Sequence, residues 1–196
     1  RVAILGAVAL AALIFVGNQG EKLVFDVDQR LFEAPVVHAE QSAHQRIHIT
    51  ELKGISCMHL NGATQFCSHD ERRYHELLVH PAFWMNPQAK RVLILGGGDG
   101  LAAREALKYP GVEAITLVDL DPKVVALSRA YPAIRKLNER ALEHPKVTIH
   151  HEDAYVWLAD NRAQWDIILI DLPDPARVEL AKLYTLEFYR TIAARL

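Results

Sequence analysis

The hydrophobic pattern of the chain changes at two points. From Val2 to Gly17 the residues are almost all apolar (VAILGAVALAALIFVG). Residues 21–70 then alternate short apolar runs with polar residues, which is typical of strands and hairpins. Beyond Asn86-Pro87, fully apolar runs alternate with segments of helical period. We therefore predict three units: a helix at residues 1–20, a small β-hairpin domain with a linking helix at residues 21–80, and an α/β domain at residues 81–196.

The apolar N-terminal segment has the character of a membrane-spanning helix. Its sixteen residues reach roughly 24 Å as a helix, which is less than the ~30 Å hydrocarbon core of a bilayer. Because the chain begins at Arg1 and not at Met, we interpret residues 1–20 as the C-terminal part of a longer transmembrane helix. A secretory signal and a buried core helix are the two other interpretations.

The second unit contains four runs with the pattern of strands: KLVFDV, RIHITEL, ISCMHL and ATQFC. Asn61-Gly62 favours a two-residue type I′ turn between the last two. The regular pairing that follows from this turn places Cys57 opposite Phe66, so the thiols of Cys57 and Cys67 point to opposite faces of the sheet. We therefore expect reduced thiols and a reducing compartment.

A helical period follows these strands, and Pro81 is expected to close the helix. The apolar residues that share one of its faces are Tyr74, Leu77 and Leu78. His75 and His80 lie five positions apart, which separates them by roughly 140° around a helix axis. Since this spacing does not place two ligands on one face, we predict no metal site.

The third unit has the pattern of an α/β domain. Apolar runs alternate with helical segments, and the runs are apolar on both faces, as in a parallel sheet covered on both sides. The predicted strands are at residues 91–95, 115–118, 147–149 and 166–170. We predict a Rossmann-like, doubly wound sheet, with one long helical stretch from Pro122 and a final helix around residues 179–196. Since only four strands can be counted, we expect further C-terminal strands in a longer protein.

Composition and charge exclude some classes of function. The chain has 22 Lys and Arg residues against 24 Asp and Glu residues, and its formal net charge is -2. This balance gives no overall attraction to phosphate backbones, and no local basic patch is evident. We therefore expect no nucleic-acid partner.

Acidic residues follow the predicted parallel strands, at the edge where ligands bind in such sheets. The first strand leads into Gly96-Gly97-Gly98-Asp99-Gly100, where glycine lets the backbone approach a ligand closely. Asp119 follows the second strand, 23 residues after Gly96, at the spacing of a carboxylate that binds ribose hydroxyls. Asp121, before Pro122, is expected to be a helix N-cap. The sequence thus predicts a nucleoside-binding site at this edge.

Two more acidic motifs extend this site. Asp153-Ala154 follows the third strand, where the carboxylate is placed to accept from an exocyclic amine of a base. Asp171 and Asp174 follow the fourth strand in the motif DLPDP. Two carboxylates in a turn restricted by prolines are costly without a cationic partner, which favours a cationic ligand.

Several motifs together resemble the polyamine aminopropyltransferases, the spermidine synthase family. In chain order they are LNGATQF, DERRYHE, ILGGGDG, LVDLD, EDA, DIILIDLPDP and LYTLEFYR, and the resemblance extends from about Gln45 to Leu196. An apolar N-terminus ahead of such a domain is similar to the bacterial branch that carries several membrane spans. The resemblance therefore implies a location in the bacterial inner membrane, with the catalytic domain in the cytoplasm.

The resemblance implies an enzyme that moves the aminopropyl group of decarboxylated S-adenosylmethionine to putrescine or a similar diamine. The products are spermidine and 5′-methylthioadenosine, and the family uses no metal and no permanently bound cofactor. A homo-oligomer is compatible with the family. Two other functions stay open: an S-adenosylmethionine-dependent methyltransferase, and a non-catalytic polyamine sensor tethered to the membrane. Asp99 disfavours the methyltransferase, because an anionic side chain there repels the carboxylate of S-adenosylmethionine.

The resemblance also implies roles for individual residues. Asp171 is the expected proton acceptor, and its pKa is expected to be raised by burial and by nearby Asp174. The residues expected to bind the nucleoside are Gln45, Gly96, Gly98, Asp119, Asp153 and Ala154. The residues expected to contact the amine-bearing parts of the substrates are Gln65, His75, Asp99, Asp174 and Tyr184.

Overall fold

The computed structural model describes residues 24–175 and 178–196, together with Gly6, Phe15, Gly17 and Gly20. The transmembrane helix predicted at residues 1–20 thus lies almost wholly outside the described residues. Within them, no helix has both the length and the apolar character needed to cross a bilayer. The described residues therefore do not support the expected inner-membrane location with a cytoplasmic catalytic domain, and we withdraw it.

Four antiparallel strands form the first sheet, in the order β1-β2-β3-β4. Their bounds are Val36–Gln41, Arg46–Leu52, Ile55–Leu60 and Ala63–Cys67. Residues 24–27, the described part of the predicted strand KLVFDV, are helical, in a helix that extends over residues 24–29. Tertiary contacts fix this segment, because the Asp28 carboxylate lies 2.5 Å from the Arg46 guanidinium and 3.1 Å from His48 Nε2.

The β3–β4 hairpin has the predicted turn but not the predicted register. Asn61 and Gly62 have φ values of 51° and 83°, as a type I′ turn requires. A β-bulge at Gln65 then shifts the pairing by one residue, so that Cys57 lies opposite Cys67. The two residues share one face and form a disulfide, with their Cα atoms 4.1 Å apart. The expectation of two reduced thiols is therefore wrong.

Helix α1 (Glu71–Met85) connects the two sheets. It continues through Pro81, which lies on its exposed side, so the predicted end of the helix was wrong. Tyr74 and Leu77 are exposed as well. The buried face is instead formed by Glu71, His75, Val79 and Phe83, two of which are polar. Apolar periodicity therefore indicated the helix but not its buried face.

The second sheet is parallel, with the strand order β7-β6-β5-β8. The strands are β5 (Arg91–Gly96), β6 (Ala114–Val118), β7 (Val147–His150) and β8 (Ile167–Asp171). These bounds agree with the prediction to within one or two residues. Since β6 and β8 lie on opposite sides of β5, the strand order reverses at β5, and a ligand is expected at the carboxyl ends there.

Short helices connect these strands. They are α2 (Leu101–Leu107), α3 (Pro122–Ala130), α4 (Pro132–Leu137), α5 (Ala154–Asp160), α6 (Val178–Ala181) and α7 (Leu186–Ala193). The predicted long helix from Pro122 is broken because Pro132 keeps Tyr131 extended, with ψ 117°. The predicted C-terminal helix is interrupted at Thr185, which is extended and caps α7.

Apolar side chains cover both faces of the parallel sheet. Val92 and Ile94 of β5 point to one face, and Leu93 and Leu95 point to the other; all four are fully buried. A third cluster joins the antiparallel sheet to helices α2, α3 and α4, and its members are Ile47, Ile49, Met58, Phe66, Leu101, Val124, Leu127 and Ile134. This cluster fixes the small sheet beside the carboxyl ends of the parallel strands.

Gly96 is expected to tolerate no side chain. Its φ is 85°, and an added Cβ would lie 1.9 Å from the Asp171 carbonyl oxygen. Gly96→Ala should reduce the free energy of unfolding by about 3 kcal/mol or more, measured by urea denaturation. Gly54→Ala tests the backbone conformation alone, since φ is 80° and no atom lies within 4 Å; its expected cost is about 1 to 2 kcal/mol. An equal loss of the free energy of unfolding in the two variants would contradict the close approach of Gly96 to the Asp171 carbonyl oxygen.

Candidate active site

The end of β5 and the end of β8 bring two predicted motifs side by side. Gly96 pairs in register with Asp171 across the two strands. The glycine turn continues with Gly97 and Gly100, which have φ values of 70° and 85°. This left-handed backbone turns the chain sharply from β5 into α2, and it leaves the Asp171 side chain beside the turn.

Asp119, directly after β6, is bonded to the same glycine turn. Its Oδ2 accepts from Gly98 N at 2.9 Å, and its Oδ1 accepts from Asp121 N at 2.9 Å. A Cβ on Gly98 would lie 2.6 Å from Asp119 Oδ2, so glycine is required for this contact. Burial raises the pKa of Asp119, and the two N–H donors partly oppose that shift.

Asp121 connects the antiparallel sheet to this region. As predicted, it caps α3, and its Oδ1 accepts from Lys123 N at 3.0 Å. Its Oδ2 accepts from Ser42 Oγ at 2.6 Å and from Gln45 Nε2 at 2.9 Å. Gln45 is thereby bonded to Asp121, which is two residues after Asp119 in the chain.

Asp153 caps α5, whose first residue is the buried Ala154. Its Oδ1 accepts from Tyr155 N at 2.9 Å. Its Oδ2 accepts from Lys182 Nζ at 2.5 Å. Asp119 and Asp153 thus follow the ends of the neighbouring strands β6 and β7.

The acidic centre of the site is formed by Asp99 and Asp171. One oxygen of each, together with one ring nitrogen of His75, lie within 4.8 Å of one another. Burial raises the pKa of Asp99 to about 6, and the charge of Asp119 adds to this effect. Burial and then the charge of Asp99 raise the pKa of Asp171 to about 6. The predicted direction for Asp171 is confirmed, but its neighbouring charge is Asp99 rather than Asp174.

Tyr74 was not predicted as a site residue. Its hydroxyl donates to Asp171 Oδ1 at 2.9 Å, and burial followed by the charge of Asp171 raises the pKa of Tyr74. The other oxygen, Asp171 Oδ2, is buried and has no hydrogen-bond partner among the described residues. The position of Tyr74 next to His75 in a helix facing the site was the available signal.

For three of the predicted site residues, the described contacts are with groups other than Asp99, Asp171 and His75. The Gln65 amide donates to the Ala63 carbonyl at 3.1 Å. The Tyr184 hydroxyl donates to the Pro173 carbonyl at 2.6 Å. Asp174 is exposed in the turn after β8, and its charge adds to burial in raising the pKa of Tyr184. Asp174 and Tyr184 are thus close to each other on the β8 side.

The arrangement suits a cationic ligand beside a nucleoside. Carboxyl groups whose pKa values are raised by burial become more stable when a positive charge enters the site. Outside this site, a second cluster of side chains that could hold a metal ion is formed by Glu76, His80 and Glu105. Glu105 there already accepts from Arg104 and Lys108, so its charge is balanced.

Comparison with known proteins agrees with this geometry. Residues 71–196 match the family model described as "Spermine/spermidine synthase domain". The chain is 44% identical over 189 residues to a polyamine aminopropyltransferase of Oceanobacillus iheyensis, covering 96% of this chain and 36% of that protein. It is 42% identical over 189 residues to one of Leptospira interrogans, covering 96% and 38%. The chain thus spans little more than a third of the length of these curated relatives.

Two solved structures have a similar fold. A spermidine synthase in complex with the transition-state analogue AdoDATO superimposes with a TM-score of 0.76 and 33% identity, over 82% of this chain and 54% of that one. Spermidine synthase from Thermotoga maritima gives 0.74 and 34%, over 82% and 53%. The α/β fold with a parallel sheet is therefore confirmed.

The raised pKa of Asp99 predicts a pH-dependent effect on stability. An acid whose folded pKa lies above its unfolded value stabilises the fold below about pH 4 and loses that contribution as pH rises through about 6. Asp99→Asn should therefore raise the free energy of unfolding at pH 8, by up to about 3 kcal/mol, with little effect at pH 4. Urea denaturation at both pH values measures this difference.

Asp166→Asn is the control of opposite sign. The backbone N–H groups of Arg91 and Lys90 lower the pKa of Asp166, so this variant should lose stability at pH 8. An Asp99→Asn variant that is also less stable at pH 8 would contradict the assignment of burial as the cause of the raised pKa of Asp99.

Proposed function

Because the chain belongs to the spermine/spermidine synthase family, we propose that it transfers the aminopropyl group of decarboxylated S-adenosylmethionine to putrescine or a similar diamine. Spermidine and 5′-methylthioadenosine are the products. The observation that carries this proposal is the half-buried pair Asp99 and Asp171 beside Asp119 at the strand-order reversal. A sulfonium nucleoside and a dication are ligands that such carboxylates attract.

The proposal is supported by the way in which each of the two units would contribute different residues to one site. The β-rich unit and its linking helix, at residues 21–80, would contribute Gln45, Gln65 and His75. The unit at residues 81–196 would bind the nucleoside. Both reach the same edge, because the third apolar cluster packs the small sheet against α2, α3 and α4.

In the nucleoside half, Asp119 would bind the ribose hydroxyls. Gly96 and Gly98 would admit the ligand close to the backbone. Gln45, held by Asp121, would complete the ribose side. Asp153 and Ala154 would face the adenine, with Asp153 accepting from its exocyclic amine.

In the amine half, Asp99 would bind the amine of the aminopropyl group. Asp171 would contact the attacking nitrogen, with His75 beside it. Asp174 would bind the far end of the diamine, and Gln65 and Tyr184 would line the same side. The exposure of Asp174 supports a position near the entrance.

The chemistry forms a C–N bond and breaks the C–S bond next to the sulfonium. The attacking nitrogen must be neutral, but an alkyl ammonium has a pKa of ~10.4. Transfer of its proton to an ordinary aspartate would be uphill by about 9 kcal/mol, and transfer to Asp171 at a pKa of about 6 by about 6 kcal/mol. Desolvation of Asp171 thus makes it a better proton acceptor, and alignment of nitrogen, carbon and sulfur supplies much of the remaining acceleration.

Asp99 also favours this reaction over methyl transfer. A methyltransferase must accept the carboxylate of S-adenosylmethionine near the glycine turn. Half-buried Asp99 accepts from Asn138 Nδ2 with its backbone carbonyl at 2.8 Å and from Leu101 N with its Oδ1 at 2.8 Å. Held in this way, it would repel a carboxylate and attract an ammonium group.

A product assay tests the proposal. The full-length protein is incubated with decarboxylated S-adenosylmethionine or S-adenosylmethionine and a panel of diamines, and product masses are read out. We expect methylthioadenosine and an aminopropylated diamine, with turnover reduced about 10²- to 10⁴-fold in Asp171→Asn and unchanged in the exposed Asp160→Asn. S-adenosylhomocysteine as product, the absence of any product, or full turnover of Asp171→Asn would refute the proposal.

A further inference from the structure

The buried face of α1 carries a carboxylate and an imidazole in direct contact. The side chains of Glu71 and His75 are 1% and 2% exposed. His75 Nδ1 lies 2.8 Å from the Glu71 carbonyl oxygen and 3.0 Å from Glu71 Oε2. A carbonyl and a carboxylate oxygen are acceptors, so Nδ1 is the nitrogen that carries the proton.

Arg104 on α2 fixes the carboxylate behind His75. Its Nη1 donates to Glu71 Oε1 at 2.8 Å and its Nη2 donates to Glu71 Oε2 at 2.9 Å, which is a bidentate pair. The same guanidinium donates to the Leu137 carbonyl at 2.8 Å and to Glu105 Oε1 at 2.8 Å. Because a buried guanidinium holds both of its carboxylate oxygens, Glu71 has a single orientation.

Stability alone is a weak reason for such a pair. Removing two charges from water costs several kcal/mol per ion, and apolar residues of similar volume often stabilise as well. The Glu71 and Arg104 pair is, however, the only link between α2 and the His75 ring that the described residues provide through side-chain hydrogen bonds. Its position therefore points to a role at the ring.

The opposite side of the ring belongs to the active site. One ring nitrogen of His75 lies within 4.8 Å of an oxygen of Asp99 and an oxygen of Asp171. Because Nδ1 is bonded to Glu71, we assign this nitrogen as Nε2. Asp171 Oδ2, in the same group, is buried without a hydrogen-bond partner among the residues described. The Tyr74 ring meets the imidazole edge-on, with centroids 5.0 Å apart, and limits its rotation.

We propose that Glu71 is a positioning residue: anchored by Arg104, it holds His75 with Nδ1–H inward, so that Nε2 presents a lone pair to the attacking amine between Asp99 and Asp171. This rests on the proposed function and adds a residue to it. Nε2 accepts a hydrogen bond from one N–H of the substrate ammonium, and a second N–H bond breaks as its proton passes to Asp171. The neutral nitrogen that is left keeps the lone pair that attacks the carbon next to the sulfonium. An imidazole turned the other way would present a donor to the amine and oppose its approach.

The tautomer of His75 is the first test, and it needs no substrate. The full-length protein is labelled with 15N-histidine, His75 is assigned from the signals lost in His75→Gln, and spectra are taken at a pH where the ring is neutral. We expect a protonated Nδ1 and an unprotonated Nε2. A neutral ring protonated at Nε2 would overturn the proposal, whatever the outcome of the product assay.

Glu71→Gln is the second test. The Nδ1–H proton resonance should move upfield, because an amide is a weaker acceptor than a carboxylate. The kcat should fall about 10- to 100-fold, the usual cost of removing the carboxylate behind a functional histidine, while KM for the nucleoside substrate stays the same.

Glu105→Gln is the matched control, since Glu105 is fully buried and bonded to the same Arg104. None of the hydrogen bonds of Glu105 involves His75, so this variant should keep both the Nδ1–H resonance and the kcat. Equal losses of kcat in both variants, with an unmoved resonance in Glu71→Gln, would assign Glu71 a structural role only and overturn the proposal. If Glu71→Gln fails to fold, the tautomer of His75 in the unsubstituted protein still tests the proposal.

Discussion

Three desolvated carboxyl groups at one edge of the parallel sheet impose the main constraint on the rest of the structure. Asp99, Asp119 and Asp171 all have pKa values raised first by burial and then by one another or by a neighbouring acid. In isolation such a cluster destabilises the fold at neutral pH. The surrounding structure keeps it in place by backbone pairing, by N–H donors at Asp99 and Asp119, and by close packing. A bound cation would relieve the same repulsion, which connects the instability of the site to the amine binding that we propose for it.

The antiparallel sheet and α1 complete what the parallel sheet begins. The sheet brings Gln45 to Asp121, and α1 brings Tyr74 and His75 to Asp171. Glu71 and Arg104 bind α1 to α2, which begins at the glycine turn. Hydrogen bonds as well as apolar packing therefore connect the proposed nucleoside side to the proposed amine side. Under that proposal, a change at the ion pair of Glu71 and Arg104 is expected to reach the reacting nitrogen.

Local rules predicted the parallel sheet well. Its strands are apolar on both faces and each is followed by glycine or acid, so both the elements and the edge at which these acids gather could be predicted. The rules failed where tertiary contacts decide. The bulge at Gln65 brought Cys57 and Cys67 together, and no turn preference indicates it. Glu71 was missed because the buried face of α1 is partly polar, and apolar periodicity assigns polar positions to solvent. Tyr74 was placed on the apolar face of the helix, whereas it is exposed and reaches Asp171 through its hydroxyl.

The central claim is that Asp99 and Asp171 are desolvated acids that become ionised partners of a bound amine. Carbon-13 NMR of the aspartate carboxyl groups, titrated with and without a saturating diamine and assigned from Asp99→Asn and Asp171→Asn, tests this claim most directly. The account predicts that the pKa of both groups is near 6 in the free protein and falls when the diamine binds, because an ammonium group stabilises the carboxylate. Values near 4 in the free protein, or values that the diamine leaves unchanged, would contradict it.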